Sequence, residues 1–102
     1  MIHLILATHA GLGTAMLKTA EMISGGTDGI RSIELYPGGS PAHAAVTLSV
    51  ENPSLQVVSG VNLGMLTEAI LLRDCMDIQD LKTHLVEAAV MTIKDMNALL
   101  QE

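Results

Sequence analysis

A short apolar run at the start of the chain ends at a histidine and a glycine-bearing turn, and this order constrains the fold more than any other feature. The residues from Ile2 to Ala7 are nearly all apolar, which is typical of a strand buried on both faces of a parallel sheet. From Gly11 to about Ser24 the apolar residues follow helical spacing, and Gly25 then provides a stop signal. The chain therefore begins with a strand, a turn over residues 8–11 and a helix, as α/β folds do.

The rest of the chain continues this alternation. The sequence predicts a strand at Ile30–Leu35, a helix that begins at Pro41 and ends before Asn52-Pro53, a third short strand at Leu55–Ser59, a helix from Leu63 to about Arg73 and a long last helix from about Ile78 to Leu100. No repeat or low-complexity linker divides residues 1–102, so we expect a single domain. Its expected fold is α/β, with an open, mainly parallel sheet flanked by helices in a three-layer α/β/α sandwich.

Charge and composition exclude several functions. The formal net charge is −6, and the chain has one Tyr with no Phe or Trp, so it offers neither a basic surface nor stacking platforms for nucleic acid. Cys75 is the single cysteine and no Cys/His spacing resembles a zinc site, so we expect a cytoplasmic protein without a structural metal. The N-terminal apolar run is far shorter than the roughly 18 residues that span a bilayer, and it lacks the basic start of a secretory signal.

Three turns are expected to meet at the carboxyl edge of the sheet. They are residues 8–11 after the first strand, 38–41 before the second helix and 60–62 after the third strand. Open α/β sheets bind ligands at this edge, and a helix that begins there offers unpaired N–H groups to an anion. His9 is the candidate nucleophile, because a neutral imidazole can accept a phosphoryl group on one nitrogen while a hydrogen bond orients the other.

The groups expected to stabilise a phosphoryl group on His9 come from the same three turns. They are the side chains of Thr8, Ser40 and Asn62 and the backbone around Ala10, Gly11 and Gly39. Glycines let backbone N–H groups approach an anion closely, and the three side chains can donate hydrogen bonds. The sequence therefore predicts phosphoryl transfer through histidine.

Each of these residues also has a plainer interpretation. A histidine after a strand is more often a solvated loop residue or a helix cap, and Ser40 is in position to cap the helix that begins at Pro41. His43 lies just inside that helix and is expected on the surface, within reach of the site at most as a contact. His3 and His84 are expected to be structural or solvated.

A second motif overlaps the same turn. Residues 11–16 begin like a dinucleotide-binding fingerprint, and Glu34 follows about 20 residues later, as a ribose-binding acid does. However, Met16 stands where the fingerprint needs a third Gly or Ala, and the chain is too short for a second nucleotide-binding half. Dinucleotide binding is therefore kept as a minor alternative.

Four ordered blocks of the sequence resemble a known family. The blocks are ILATHAGLGTAMLKTAEMISG, IELYPG, GGSPAHAA and VVSGVNLGMLTEAILLR. They resemble the successive motifs of the IIA component of mannose-type (mannose–fructose–sorbose) sugar phosphotransferase systems, and they cover most of the chain. The resemblance implies a parallel α/β fold, a homodimer and phosphorylation of His9. It also implies that phosphate passes from the phosphocarrier protein HPr through His9 to a IIB component, and so indirectly serves the membrane IIC/IID transporter complex.

The sequence departs from this family between Pro37 and Ser40. Family members have a helix and a central apolar strand there, and that strand ends in an aspartate that orients the histidine. The segment is shorter here, so one central strand is absent from the sequence and the orienting role is assigned to no residue. Each backbone group left unpaired inside a sheet costs about 1–3 kcal/mol, so the loss of a central strand is expected to be poorly tolerated. His43 is a smaller departure, because the family usually has Asn there.

The leading interpretation is a phosphohistidine relay that makes and breaks a P–N bond and needs no metal or cofactor. Two alternatives stay open. One is the phosphotransfer subunit of a phosphoenolpyruvate-dependent dihydroxyacetone kinase, and the other is a non-catalytic regulatory or dimerisation module. The motifs GGSP and GVNLGML favour the sugar transporter over the kinase subunit.

Overall fold

The computed structural model describes residues 2–35 and 41–100, without the side chains of Pro41, Ala42 and Ala44. Its strands are β1 (Leu4–His9) and β2 (Ile30–Leu35). Its helices are α1 (Leu12–Ser24), α2 (Pro41–Glu51), α3 (Leu63–Leu72), α4 (Ile78–Met91) and α5 (Met96–Leu99). Helices flank a parallel sheet, so the α/β fold expected from the sequence is confirmed.

The two strands pair in parallel and end together. Leu4 lies beside Ile30 at the start of the pair, and His9 lies beside Leu35 at its end. The Leu4 amide also donates to the Gly29 carbonyl at 3.1 Å, which extends the pairing by one bond. Both strands therefore reach the carboxyl edge of the sheet at the same level.

The two faces of the sheet are covered unequally. Successive strand residues point to opposite faces. On one face Leu6 and Thr8 are 6% and 5% exposed, whereas Ile5 and Ile33 on the other face are 58% and 44% exposed. The expectation that the first strand is buried on both faces is therefore wrong. The reason is that α1 and α3, which supply the apolar partners of Leu6, both pack on the same face.

The core consists of two connected clusters of aliphatic side chains. The first joins the sheet to α1 and α3, and its buried members are Leu6, Ala20, Leu66 and Ile70. The second joins α3 to α4, and its buried members are Met65, Ala69, Leu81, Leu85 and Ala89. Leu4 and Val61 pack against both clusters, so the sheet, α1, α3 and α4 form one continuous core.

The predicted third strand is not formed. Residues 55–59 have no assigned strand structure, and the sheet in the described part of the chain contains β1 and β2 alone. The strand predicted at Leu55–Ser59 is therefore wrong, although residues 55–58 are half-buried and Val58 packs on the core. A strand also needs a neighbour for its backbone N–H and C=O groups, and this segment has none among the described residues.

The predicted long last helix is interrupted. α4 ends at Met91, and α5 begins only at Met96. At the break the Thr92 hydroxyl donates to the Ala89 carbonyl at 2.6 Å, so it competes for a carbonyl at the helix end. Asp95 then caps α5 by accepting from the amides of Asn97 and Ala98.

The remaining helix ends agree with the sequence to within a residue or two. α1 stops at Gly25, which has a φ of 85°, and α2 stops one residue before Asn52-Pro53. α3 ends at Leu72 and has Arg73 as its C-cap. The cap that we expect from Ser40 lies outside the described residues. Among the helices of the described segments, none is long and apolar enough to cross a membrane.

Candidate functional site

His9 is the last residue of β1 and is exposed. It therefore lies at the carboxyl edge of the sheet, as the sequence predicts. Because side chains alternate along a strand, the imidazole belongs to the less covered face, with Ile5, while Thr8 belongs to the face that packs on α1. This arrangement leaves the ring accessible to another protein.

The chain turns sharply from His9 into α1. Ala10 has a φ of 49°, in the left-handed region that residues with a Cβ rarely adopt. Its amide donates to the Leu35 carbonyl at 3.4 Å, which continues the sheet ladder. Only Ala10 and Gly11 separate the end of β1 from Leu12, the first residue of α1. The N-terminus of the helix is therefore held close to His9.

Thr8 ties the same helix terminus to the strand. Its Oγ1 accepts a hydrogen bond from the Gly13 amide at 2.7 Å, in a buried position. A Cβ on Gly13 would lie 2.8 Å from that oxygen and 2.6 Å from Ser32 Oγ, closer than real Cβ atoms approach other atoms. The contact therefore depends on a hydroxyl at position 8 and a glycine at position 13.

Three backbone amides at the start of α1 are open among the described residues. The N-cap residue Gly11 has no side chain to satisfy them, and the first turn contains no acidic residue. Within residues 2–35 and 41–100, the N–H groups of Gly11, Leu12 and Thr14 donate no hydrogen bond, whereas that of Gly13 donates to Thr8. Unpaired amides at the positive end of a helix dipole are a favourable place for an anion.

These open amides differ in part from the predicted ones. The sequence indicated the backbone around Ala10 and Gly11, whereas the structure uses the Ala10 amide in the sheet and leaves the Leu12 amide open. Sequence reasoning also did not assign a role to Gly13. The signal that could have found it is the Gly11-Leu12-Gly13 spacing, because a second glycine in this position marks close packing of a helix on a strand.

Asn62 is engaged elsewhere in the fold. It is the N-cap of α3, where its Oδ1 accepts from the Met65 amide at 2.9 Å. Its Nδ2 donates to the Ala89 carbonyl at 3.3 Å, which links α3 to the end of α4. One of the two N–H groups of this amide is thus used inside the fold, and the role of Asn62 in the site stays a prediction.

Two other predicted site residues, Gly39 and Ser40, lie outside the described residues, and their roles also stay predictions. The other histidines have separate surroundings. His84 Nε2 lies 2.9 Å from Glu68 Oε2, between α4 and α3, and His3 and His43 are exposed. In the described part of the chain, no three His, Cys, Asp or Glu side chains are grouped so that they could hold a metal ion.

The dinucleotide alternative finds no support in the geometry of Glu34. The Thr14 hydroxyl donates to Glu34 Oε1 at 3.1 Å, so this carboxylate is bonded to the first turn of α1. Thr14 also lies 3.3 Å from Ser32, so the polar groups on this part of β2 are turned toward the helix. A ribose-binding acid instead has to present its oxygens to a ligand beyond the strand end.

Comparison with known proteins places the chain in a family. The sequence model of the family described as "PTS system fructose IIA component" matches residues 36–86, one half of the 102 residues. The chain belongs to this family. The match begins directly after β2 and includes the turn at residues 60–62, while His9 lies before it. The resemblance found in the sequence is thereby confirmed.

Curated relatives carry the name "PTS system mannose-specific EIIAB component". Those of Escherichia coli K12 and Shigella flexneri are each 27% identical over 104 residues, covering 72% of this chain and 32% of their own length. The chain therefore spans about a third of the length of these relatives. Since 72% of 102 residues is about 73, about 30 of the 104 aligned positions have no residue in this chain. The shortened segment predicted between Pro37 and Ser40 lies outside the described residues.

Solved structures share the fold. Phosphotransferase system component EIIA from Streptococcus agalactiae has a TM-score of 0.86 at 24% identity, over 96% of this chain and 99% of that one. The mannose/sorbose-specific IIA subunit from Enterococcus faecalis has a TM-score of 0.82 at 19% identity, over 92% of this chain and 93% of that one. At these identities the comparison establishes the architecture of the chain.

Proposed function

We propose that the chain is the phosphohistidine relay of a sugar phosphotransferase system. His9 accepts a phosphoryl group from HPr and passes it to a IIB component during sugar uptake. The observation that carries this proposal is the position of an exposed histidine at the end of β1, two residues before the open amide of Gly11. Membership of the IIA family supports phosphotransfer as the chemistry, and the names of the relatives support a sugar phosphotransferase system as its setting.

The proposed chemistry is two successive transfers of one phosphoryl group. A lone pair on an imidazole nitrogen of His9 attacks the phosphorus atom of phosphohistidine in HPr. A P–N bond to His9 forms while the P–N bond in HPr breaks, and the electron pair of the broken bond returns to the HPr imidazole. In the second transfer a nucleophile of the IIB component attacks, and the electron pair returns to His9. No atom is oxidised or reduced, and no cofactor takes part.

The chain contributes mainly electrostatic stabilisation to these transfers. Negative charge is spread over the oxygens of the phosphoryl group as it moves between nitrogens. The amides of Gly11 and Leu12 lie at the positive end of α1, where they can bind such oxygens without reorganisation. Gly39, Ser40 and Asn62 are further candidates from the other turns.

The proposal includes a cytoplasmic location and a homodimer. HPr and IIB are the direct partners, and the membrane IIC/IID complex is served indirectly. The dihydroxyacetone kinase subunit is the less favoured alternative, because the curated relatives named above are components of a mannose-specific sugar system. A purely regulatory module is disfavoured by the exposed histidine beside open helix amides.

The test is replacement of each exposed histidine in turn. His9→Ala is expected to abolish labelling by phosphorylated HPr and to leave the far-ultraviolet circular dichroism spectrum unchanged, because the side chain is exposed. His3→Ala and His43→Ala are matched controls, since both residues are also exposed, and they are expected to keep full labelling. Acid-labile label that persists in the His9→Ala variant and maps to His43 by mass spectrometry would overturn the assignment.

A further inference from the structure

We propose that Thr8 is a positioning residue for phosphoryl transfer, acting through the N-terminus of α1 and without touching the phosphoryl group. The inference rests on the proposed function of His9. In this role the Thr8 hydroxyl, which is buried on the opposite face of the strand, keeps the open helix amides at the level of His9.

The first step of the argument is the span of the Thr8–Gly13 hydrogen bond. It connects residues five apart, at 2.7 Å, and so closes a loop that contains His9, Ala10, Gly11 and Leu12. The loop holds the proposed nucleophile together with two of the open amides, those of Gly11 and Leu12. Any movement of α1 along or away from β1 would change the distance between them, and this hydrogen bond opposes such movement.

The second step is that this hydrogen bond uses the Gly13 amide and leaves neighbouring helix amides unpaired. A helix N-terminus without a capping side chain has several unpaired N–H groups. Gly11 is the N-cap and supplies no side chain, so the cap comes from the strand, through Thr8 to Gly13. The amides of Gly11, Leu12 and Thr14 therefore remain for an anion, and the first two are nearer to His9 in the chain.

The third step is that the hydroxyl is not well placed to be a phosphate ligand itself. Thr8 is 5% exposed and faces α1 and Ser32, while His9 follows it on the other face of β1. Its oxygen already accepts from Gly13. The residue was expected to bind phosphate directly, and the geometry points instead to an indirect role.

The experiment compares Thr8→Val with Thr8→Ser. Valine keeps the shape of the side chain but removes the acceptor, whereas serine keeps the hydroxyl. In rapid-mixing assays with phosphorylated HPr, at a temperature where every variant is fully folded, Thr8→Val is expected to reduce the maximal transfer rate at least tenfold. Its KM for phosphorylated HPr is expected to change less than twofold, and Thr8→Ser is expected to restore most of the rate.

Thr19→Val is the matched control, because the Thr19 hydroxyl also makes a hydrogen bond in α1, to the Ala15 carbonyl at 3.0 Å, but is exposed and remote from the turn. It is expected to transfer at the parental rate. A Thr8→Val variant that transfers at the parental rate, or a Thr8→Ser variant as slow as Thr8→Val, overturns the proposal. Absence of labelling in the parent protein and in Thr19→Val would instead contradict the proposed function.

A second variant covers the case in which Thr8→Val does not fold. Gly13→Ala keeps the Thr8 hydroxyl but places a Cβ 2.8 Å from it, which pushes the helix amide away. The same loss of maximal rate with unchanged KM is expected. A Gly13→Ala variant that is folded and transfers at the parental rate contradicts the positioning role.

Discussion

Among the described residues, Ala10 is the only one other than glycine with a positive φ, and it directly follows the proposed nucleophile. A left-handed conformation costs a residue with a Cβ roughly 1–2 kcal/mol. The turn tolerates it because the Ala10 amide bonds to Leu35 on one side and α1 begins on the other. Backbone strain is therefore stored beside His9.

Replacing Ala10 with glycine should release this strain. Ala10→Gly is expected to raise the free energy of unfolding by about 0.5–1 kcal/mol, since the gain in the folded state exceeds the added flexibility of the unfolded chain. Ala15→Gly is the matched control, because the same change at an exposed position inside α1 should lower the free energy of unfolding by about 1 kcal/mol. Urea denaturation measures both values, and a loss at position 10 equal to that at position 15 would contradict the left-handed assignment.

The sequence predicted the position of His9 better than the contacts of the residues around it. His9 at a strand end followed from the apolar run and the glycine turn, and the structure agrees. The engagement of Asn62 with Ala89 could not be predicted, because it joins residues 27 apart through the packing of α3 on α4. The hydrogen bond between Thr8 and Gly13 was hidden for a similar reason. Whether a hydroxyl faces a helix or a ligand depends on the strand face to which it belongs.

At the scale of elements, the sequence correctly predicted the helices that pack on the core. α3 and α4 bury regularly spaced side chains against each other, and their starts coincide with the capping residues Asn62 and Asp77. The extension of α4 to Leu100 was wrong because the apolar spacing continues past Met91 without a surface to bury it. Ile93 and Leu100 are 79% and 87% exposed. Apolar periodicity alone therefore overestimates the length of a helix when its apolar residues have no surface to pack against.

Two aspartate caps test whether α4 contributes to the stability of the core and α5 does not. Asp77 Oδ1 accepts from the Asp80 amide at 2.8 Å, so Asp77→Ala should lower the free energy of unfolding by about 0.5–2 kcal/mol. Asp95 makes the same kind of cap, but α5 has four residues and none of them is buried. Asp95→Ala should change the free energy of unfolding by less than about 0.5 kcal/mol and only speed hydrogen exchange at Asn97 and Ala98. Equal losses in urea denaturation would mean that α5 unfolds together with the core.

At the scale of the whole molecule, the chain exposes more surface than its size requires. A compact monomer of 10.7 kDa is expected to expose about 5,500 Å², whereas this chain exposes 7053 Å². Part of the excess is the open face of the sheet at Ile5 and Ile33. Another part is a shallow groove lined by apolar residues that include Val58, Val86, Val90 and Ile93. The last three of these are 48%, 66% and 79% exposed.

An excess of roughly 1,500 Å² on each of two copies falls within the range of about 2,000–5,000 Å² in total that stable homodimers bury. Light scattering at micromolar concentration is therefore expected to give about twice the 10.7 kDa mass of one chain.

Val90→Glu places a charge in the groove and is expected to give the mass of a monomer, because an unpaired charge is strongly disfavoured in an apolar interface. Met22→Glu adds the same charge at a residue of α1 that is 90% exposed, and it should leave the dimer intact. A monomeric parent protein would contradict the dimer, and a dimeric Val90→Glu variant would exclude the groove as its interface.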